Sequence, residues 1–300
     1  MTLRTAVAQG AELLGKAGVA EARLTAELLL CHAVHCERVY LYAHPEQELR
    51  EVEWIHYGRW LHERMQGKPL QYITKTQEFY GRAFAVSPDV LIPRAETELL
   101  VETVLARGKG AGRMVDVGTG SGAIAITLAL ETRARVVATD ISTAAIAVAR
   151  GNAARLGAAP RVEFVVGDLL AAVAAESQDA VVSNPPYVAE ADKETLQSEV
   201  RDWEPARALF AGANGLDVYR RLVPEAWRVL KPGGLLAMEL GFGQAEAVAE
   251  LVSEWGHVEV AKDLAGIGRV LSCVKGLYPF RVQDSRGLEE VQSHGITASS

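Results

Sequence analysis

Three cysteines in a chain of 300 residues are too few for a paired disulfide framework. Cys31 and Cys36 lie five positions apart and Cys273 far downstream, so reduced thiols are expected. His32 and His35 beside the first two invite a zinc reading, but no second ligand pair follows at metal spacing, and packing within a helix is the preferred reading. No apolar run reaches the roughly twenty residues a membrane-spanning helix needs. The first segment carries Glu12, Glu21 and Glu27 instead of a basic region followed by an apolar block, so a soluble, cytoplasmic protein is expected. Basic charge is also short: 31 Lys and Arg against 38 Asp and Glu leave a net charge of -7, which argues against tight binding to a phosphate backbone. What is present is 49% hydrophobic residues, enough for one large core or two smaller ones.

The hydrophobic pattern divides the chain. From Leu3 to about Gly67 apolar residues recur at helical spacing (Leu3, Ala6, Val7; Leu24, Leu28; Val52, Ile55), with breaks at Gly18, His44-Pro45 and Gly67-Lys68-Pro69. This predicts a small helical bundle domain over 1–70. Tyr72, Ile73, Phe79, Tyr80, Phe84 and Val86, set around Gly81-Arg82, predict a β-hairpin linker over 71–92. Residues 93–275 then alternate between strand and helix patterns, with strands expected at 113–117, 135–140, 162–166, 180–183, 234–240, 257–262 and 269–274. Intervening helices argue for a mostly parallel sheet covered on both faces. Only Ala265-Gly266-Ile267-Gly268 separates the last two strands, too little for a parallel crossover, so the last strand should be antiparallel. The fold class is therefore α/β, a seven-stranded, Rossmann-like sheet behind a helical domain. A flexible tail is expected over 276–300. Met114 and Trp227 read as core, while Trp54 and Trp60 are candidates for an interdomain or partner contact.

Chemistry concentrates where strands end. Asp116-Val117-Gly118-Thr119-Gly120-Ser121-Gly122 follows the first strand, and its glycines allow the backbone to turn tightly and approach a ligand. The spacing is neither the dinucleotide fingerprint nor a triphosphate loop. A nucleoside cofactor remains, with Asp140 after the second strand accepting from ribose hydroxyls, and Asp168 and Leu169 after the third reaching the adenine. Each acid alone is equally a solvated strand end or a helix cap. The fourth strand runs into Asn184-Pro185-Pro186-Tyr187. Proline has no N–H, so Asn184 and Pro185 offer an acceptor-rich edge of side-chain and backbone carbonyls on a stiff backbone, suited to a planar NH2 group. Alone, the tetrapeptide is as readily a turn leaving a sheet.

Together, the loop 116–122, Asp140 and the Asn184–Tyr187 tetrapeptide resemble class I S-adenosylmethionine-dependent methyltransferases that act on planar nitrogens. Gln71-Tyr72-Ile73, Glu78-Phe79-Tyr80-Gly81, Val90-Leu91-Ile92-Pro93-Arg94 with Glu96-Thr97-Glu98, Leu209-Phe210-Ala211-Gly212, Pro232-Gly233-Gly234 and Asp263-Leu264-Ala265-Gly266 extend the resemblance to the release factor glutamine methyltransferases, the PrmC/HemK family. The resemblance implies methylation of the glutamine amide in the Gly-Gly-Gln loop of peptide-chain release factors, with the helical domain helping to grip that protein. It implies S-adenosyl-L-methionine on Gly118, Thr119, Gly120, Ser121, Gly122, Asp140, Asp168, Leu169 and Asn184. The glutamine would lie on Asn184, Pro185, Pro186 and Tyr187, of which Asn184, Pro185 and Tyr187 would act in catalysis; no metal is implied. Position 169 is leucine where some members carry an aromatic, and the tail has no counterpart.

An adenine-N6 methyltransferase acting on DNA or RNA is the alternative, since an exocyclic amine is planar too. It calls for a basic groove, which an acidic chain does not advertise. A non-catalytic module that binds the cofactor and uses the helical domain for protein contact is a further alternative, which Asn184→Ala would separate, and a small-molecule methyltransferase would leave the helical domain without a role. Arg94 has two readings, a pair with the cofactor carboxylate or with a carboxylate inside the protein, the second preferred.

Overall fold

The computed structural model describes residues 1–276; the tail expected over 276–300 lies outside them, save Gly276 itself. Five helices come first. In α1 (Leu3–Lys16) the Thr2 side chain accepts the Thr5 N–H, and α2 (Ala22–Val34) ends on His35 in the left-handed region. α3 (Arg38–Ala43), α4 (Glu51–Met65) and α5 (Leu70–Thr74) complete the group. Leu3, Leu14, Leu29, Leu30, Tyr57 and Leu61 form a core among them, apart from the sheet's cores. α1 and α4 meet at Gly10, where a Cβ would fall 2.0 Å from the Tyr57 hydroxyl oxygen; that hydroxyl donates to the Ala6 carbonyl at 3.2 Å. Burial pushes the Cys31 thiol up to about 12, which leaves it a packing group at neutral pH.

β1 (Thr76–Phe79) and β2 (Arg82–Ala85) form an antiparallel hairpin through Tyr80 and Gly81, both at positive φ, as a tight two-residue turn demands. The hairpin is docked on the layers that follow. Phe79 and Phe84 meet edge to face at 6.0 Å and are fully buried, and the Asn152 amide bridges both backbone groups of Ala85. A single turn of 3-10 helix at Ala95–Thr97 leads into α6 (Glu98–Arg107).

The sheet then builds in order: β3 (Arg113–Val117), α7 (Ala123–Glu131), β4 (Arg135–Asp140), α8 (Thr143–Leu156), β5 (Val162–Val166) and β6 (Gln178–Ser183). α9 (Ser198–Trp203), α10 (Asp217–Val229), β7 (Leu230–Glu239), α11 (Ala245–Leu251), β8 (Gly256–Lys262) and β9 (Gly268–Val274) follow. The spatial order is β5-β4-β3-β6-β7-β9-β8. The first five of these run parallel, and β9 is antiparallel to both neighbours. α6, α7 and α8 bury one face with Leu100, Ile126, Leu128 and Ala153; α10 and α11 bury the other with Leu222, Val223 and Val248. Strands covered on both sides read as continuous apolar runs, which is why their positions were recognisable.

β7 begins four residues before the expected 234. Gln178 pairs with Leu230 but Ala180 with Leu235, so Pro232 and Gly233 bulge out of a strand that continues through them. Among the described residues no helix is long and apolar enough to cross a membrane.

Candidate active site

The carboxyl ends of β3, β4, β5 and β6 converge on one cavity of about 280 Å³, lined by Gly118, Gly120, Asp140, Asp168, Leu169 and Asn184, with Pro186 beside them. Crevices at this edge are where open α/β sheets bind ligands. After β3 the chain turns through Gly118, Gly120 and Gly122, all at positive φ. The N–H groups of Gly118 and Thr119 both donate to the Thr139 carbonyl at 2.9 Å, pinning the loop to the end of β4. Asp140 finishes the clamp: Oδ2 accepts from Gly120 N at 2.9 Å and Oδ1 from Ser142 N at 2.8 Å. At Gly118 and Gly120 a Cβ would meet nothing within 4 Å, so open space fronts the loop.

The loop's other residues turn inward. Thr119 is 6% exposed and donates to Asp116 Oδ2 at 2.6 Å; Ser121 is 3% exposed and its carbonyl accepts from Asn152. A Cβ at Gly122 would fall 2.8 Å from Ile126 Cδ1, so this glycine serves contact between α7 and α8. Of the predicted cofactor set, Gly118, Gly120, Asp140, Asp168, Leu169 and Asn184 line the cavity, and Thr119, Ser121 and Gly122 shape the loop from behind.

Beyond β5, Leu169 adopts φ 46°, a left-handed backbone that costs a non-glycine residue about 1 kcal/mol or more. Leu170 N, donating to Glu225 Oε2 at 3.0 Å, holds the turn. Asp168 is paired with Arg221 of α10, with both side chains half exposed. Such a surface pair is worth little stability and opens readily.

The Asn184–Tyr187 loop is gripped from three sides. Gln244 Nε2 donates to the Tyr187 carbonyl at 2.9 Å, Ser183 Oγ donates to the Val117 carbonyl at 2.8 Å, and Gly215 approaches so closely that a Cβ would sit 2.2 Å from the Tyr187 carbonyl oxygen. Pro185 is buried, and Tyr187 is half-buried with its hydroxyl directed at Glu239 Oε1, 3.4 Å away. Asn184 Nδ2 donates to Thr97 Oγ1 at 3.1 Å, which fixes the amide by its nitrogen and leaves Oδ1 for a guest. Burial pushes Glu239, at the end of β7, up to about 7, and it pushes Asp116 to about 7 as well.

The sequence did not single out Glu239 or Gln244, and named Thr97 only within the Glu96-Thr97-Glu98 segment that carries the resemblance. The available signal was a lone carboxylate closing the apolar run 235–240. Arg94 pairs with Glu204, which also accepts the Ile92 N–H at 3.1 Å, so the preferred internal carboxylate is the one found.

Residues 5–74 match a family described as the PrmC N-terminal domain, and residues 95–201 one described as the methyltransferase small domain. A curated relative from Koribacter versatilis (strain Ellin345), "Release factor glutamine methyltransferase", is 48% identical over 275 residues, spanning 90% of this chain and 98% of that one. A relative of the same name from Nitratidesulfovibrio vulgaris is 42% identical over 284 residues, spanning 92% and 96%. Among solved structures, a methyltransferase from Pyrococcus furiosus aligns over 69% of this chain and 94% of its own at 20% identity and TM-score 0.50, a likeness of fold. With such identity along nearly its whole length, the chain belongs to the release factor glutamine methyltransferase family.

Proposed function

We propose that this protein transfers a methyl group from S-adenosyl-L-methionine to the side-chain amide nitrogen, N5, of the glutamine in the Gly-Gly-Gln motif of peptide-chain release factors. The observation that carries this reading is the fixed Asn184 amide, Nδ2 spent on Thr97 and Oδ1 free, at the edge of a cavity fronted by an open glycine loop.

The cavity fits the cofactor. Gly118 and Gly120 present backbone without side chains, Asp140 is fixed as a hydroxyl acceptor by two backbone donors, and Leu169 and the exposed Ile141 give it apolar walls. The nearby Asp140 carboxylate would repel a 2'-phosphate. When bound, S-adenosyl-L-methionine supplies an electrophilic methyl group on a positively charged sulfur.

An amide nitrogen is a poor nucleophile because its lone pair is delocalised into the carbonyl. This chain's residues must therefore position that nitrogen and stabilise the positive charge that grows on it. Asn184 Oδ1 and the Pro185 carbonyl are the acceptors for its two N–H groups. Those bonds strengthen as the nitrogen becomes positive, which favours the transition state over bound substrate. Tyr187, its hydroxyl turned to Glu239, walls the pocket with its ring. The methylated, protonated amide is acidic enough to lose its proton to water, so no strong base is required. The helical segment 1–70 is assigned to gripping the release factor, and 71–92 to joining it to the methyltransferase domain 93–275.

The test offers isotope-labelled S-adenosylmethionine with unmethylated release factor and, separately, with DNA and ribosomal RNA. Label on the Gly-Gly-Gln glutamine, lowered at least a hundredfold in Asn184→Ala by loss of a transition-state contact, is the expected result. Label on adenine alone would overturn it.

A further inference from the structure

Which way the Asn184 amide faces decides whether it presents an acceptor or a donor to the substrate nitrogen. Only the acceptor works on an NH2 group. The choice is made behind Asn184, by Thr97.

Thr97 occupies the N-cap of α6, where a threonine hydroxyl ordinarily accepts from the helix's own N–H groups, yet it makes no such capping bond. It is 4% exposed, and its oxygen faces Asn184 Nδ2 at 3.1 Å. Its single proton must go elsewhere. The Thr97 hydroxyl favours the ionised form of the Glu239 carboxylate, whose buried Oε2 has no hydrogen-bond partner. Glu239 Oε1 takes the Tyr187 hydroxyl at 3.4 Å, so this carboxylate at the end of β7 meets the far end of the loop that Asn184 begins.

Resting on the functional reading above, we infer that Thr97 and Glu239 are positioning residues: the carboxylate draws the Thr97 proton, which makes the Thr97 oxygen an acceptor for Asn184 Nδ2 and turns Asn184 Oδ1 toward the substrate. A proton on Glu239 reverses the polarity. It can donate to Thr97, Thr97 can then donate to Asn184 Oδ1, and the flipped amide shows its NH2 to another NH2. The groups acting electrostatically on Glu239 are Arg269 from β9, which favours its charge, Glu96 from the 3-10 turn, which opposes it, and the hydroxyls of Tyr187 and of Tyr219 from α10. Burial outweighs them and pushes Glu239 to about 7, within the range of an assay.

The experiment measures single-turnover methylation of release factor against pH for wild type, Thr97→Val, Thr97→Ser and Glu239→Gln, with cofactor affinity by calorimetry. Thr97→Val should lose at least tenfold in rate while binding cofactor within about twofold of wild type, since one oriented contact is lost. Thr97→Ser should recover most of that rate. The wild-type rate should fall as pH drops through about 7, a limb absent in Glu239→Gln. A Thr97→Val enzyme of wild-type rate, one that loses cofactor binding along with turnover, a Thr97→Ser enzyme no better than Val, or an unchanged limb in Glu239→Gln would each overturn the inference. Wild-type enzyme that leaves release factor unlabelled would instead sink the functional reading beneath it.

Discussion

Asp116 and Glu239 are 0% and 1% exposed, and one oxygen of each lacks a hydrogen-bond partner. Burial is the main cause that raises both to about 7 from ordinary values of 3.8 and 4.5. The folded state therefore holds these protons over a range where the unfolded chain has released them. Stability is then highest below the unfolded pKa and declines as pH rises toward the folded one. For Glu239 the span from 4.5 to about 7 corresponds to about 3 kcal/mol. Urea unfolding at pH 5 and pH 8 should show wild type losing about 2–3 kcal/mol more than Glu239→Gln across that interval. Parallel losses in the two proteins would show that Glu239 is not buried as a charge. Such a cost fits residues that serve chemistry, but the only local signal for Glu239 was a lone carboxylate in the apolar run 235–240. Its interactions with Thr97 and Tyr187 arise only through the tertiary fold. Asp140 was legible because a strand end and a glycine loop at fixed spacing define its place without distant partners.

The same distinction holds for the loop between β3 and α7. The sequence identified the glycines as a group, yet they have different work. Gly118 opens onto space, whereas Gly122, at φ 83°, carries α7 against α8 with Ile126 and Ala149 in the way of any side chain. Gly118→Ala should cost about 1 kcal/mol, the strain of a left-handed alanine. Gly122→Ala should cost about 2–4 kcal/mol, because overpacking between two helices adds to that strain. Urea midpoints at constant slope measure the difference, and equal midpoints would contradict the assignment of Gly122 to packing. Strands β3 and β4 were readable residue for residue, since burial on both faces favours a run of apolar residues, and β5, an exposed edge strand, was readable from its Val and Phe content. The start of β7 was not, because Pro232-Gly233-Gly234 has the chemistry of a turn while the parallel pairing of Leu230 with Gln178 overrides it. The hairpin was legible around Gly81, but Tyr72 and Ile73, expected within it, lie in helix α5, and its docking through Asn152 was not legible, since that contact spans 67 positions.

Across the molecule, the segment after the Asn184–Tyr187 loop ties the helical group to the cavity. Glu199 of α9 pairs with Arg64 of α4 at 2.9 Å, and Trp203 at the end of α9 lies against Gly67. Glu204, the next residue, is buried at 1% of its side chain and holds both Arg94 and the Ile92 N–H. Arg94 stands three positions before Thr97, and the Arg94 carbonyl accepts the Thr97 N–H at 3.2 Å. A path of packed, hydrogen-bonded residues thus runs from α4 through α9 and Glu204 to the residue that orients Asn184. Removing Glu204 should loosen this path at its most buried point. Glu204→Ala leaves Arg94 without its partner and the Ile92 N–H without an acceptor. The cost should be about 2 kcal/mol, below the 3–5 of a fully buried pair because the Arg94 side chain is 32% exposed. Arg64→Ala breaks the path near the helical group, where the Glu199 partner is 35% exposed, and should cost less stability. If the path matters for presenting the substrate, both variants should raise KM for release factor more than they change cofactor affinity. The measurement is steady-state methylation at varied release factor, alongside calorimetry with the cofactor. Unchanged KM in both variants would confine Glu204 and Arg64 to holding the fold together.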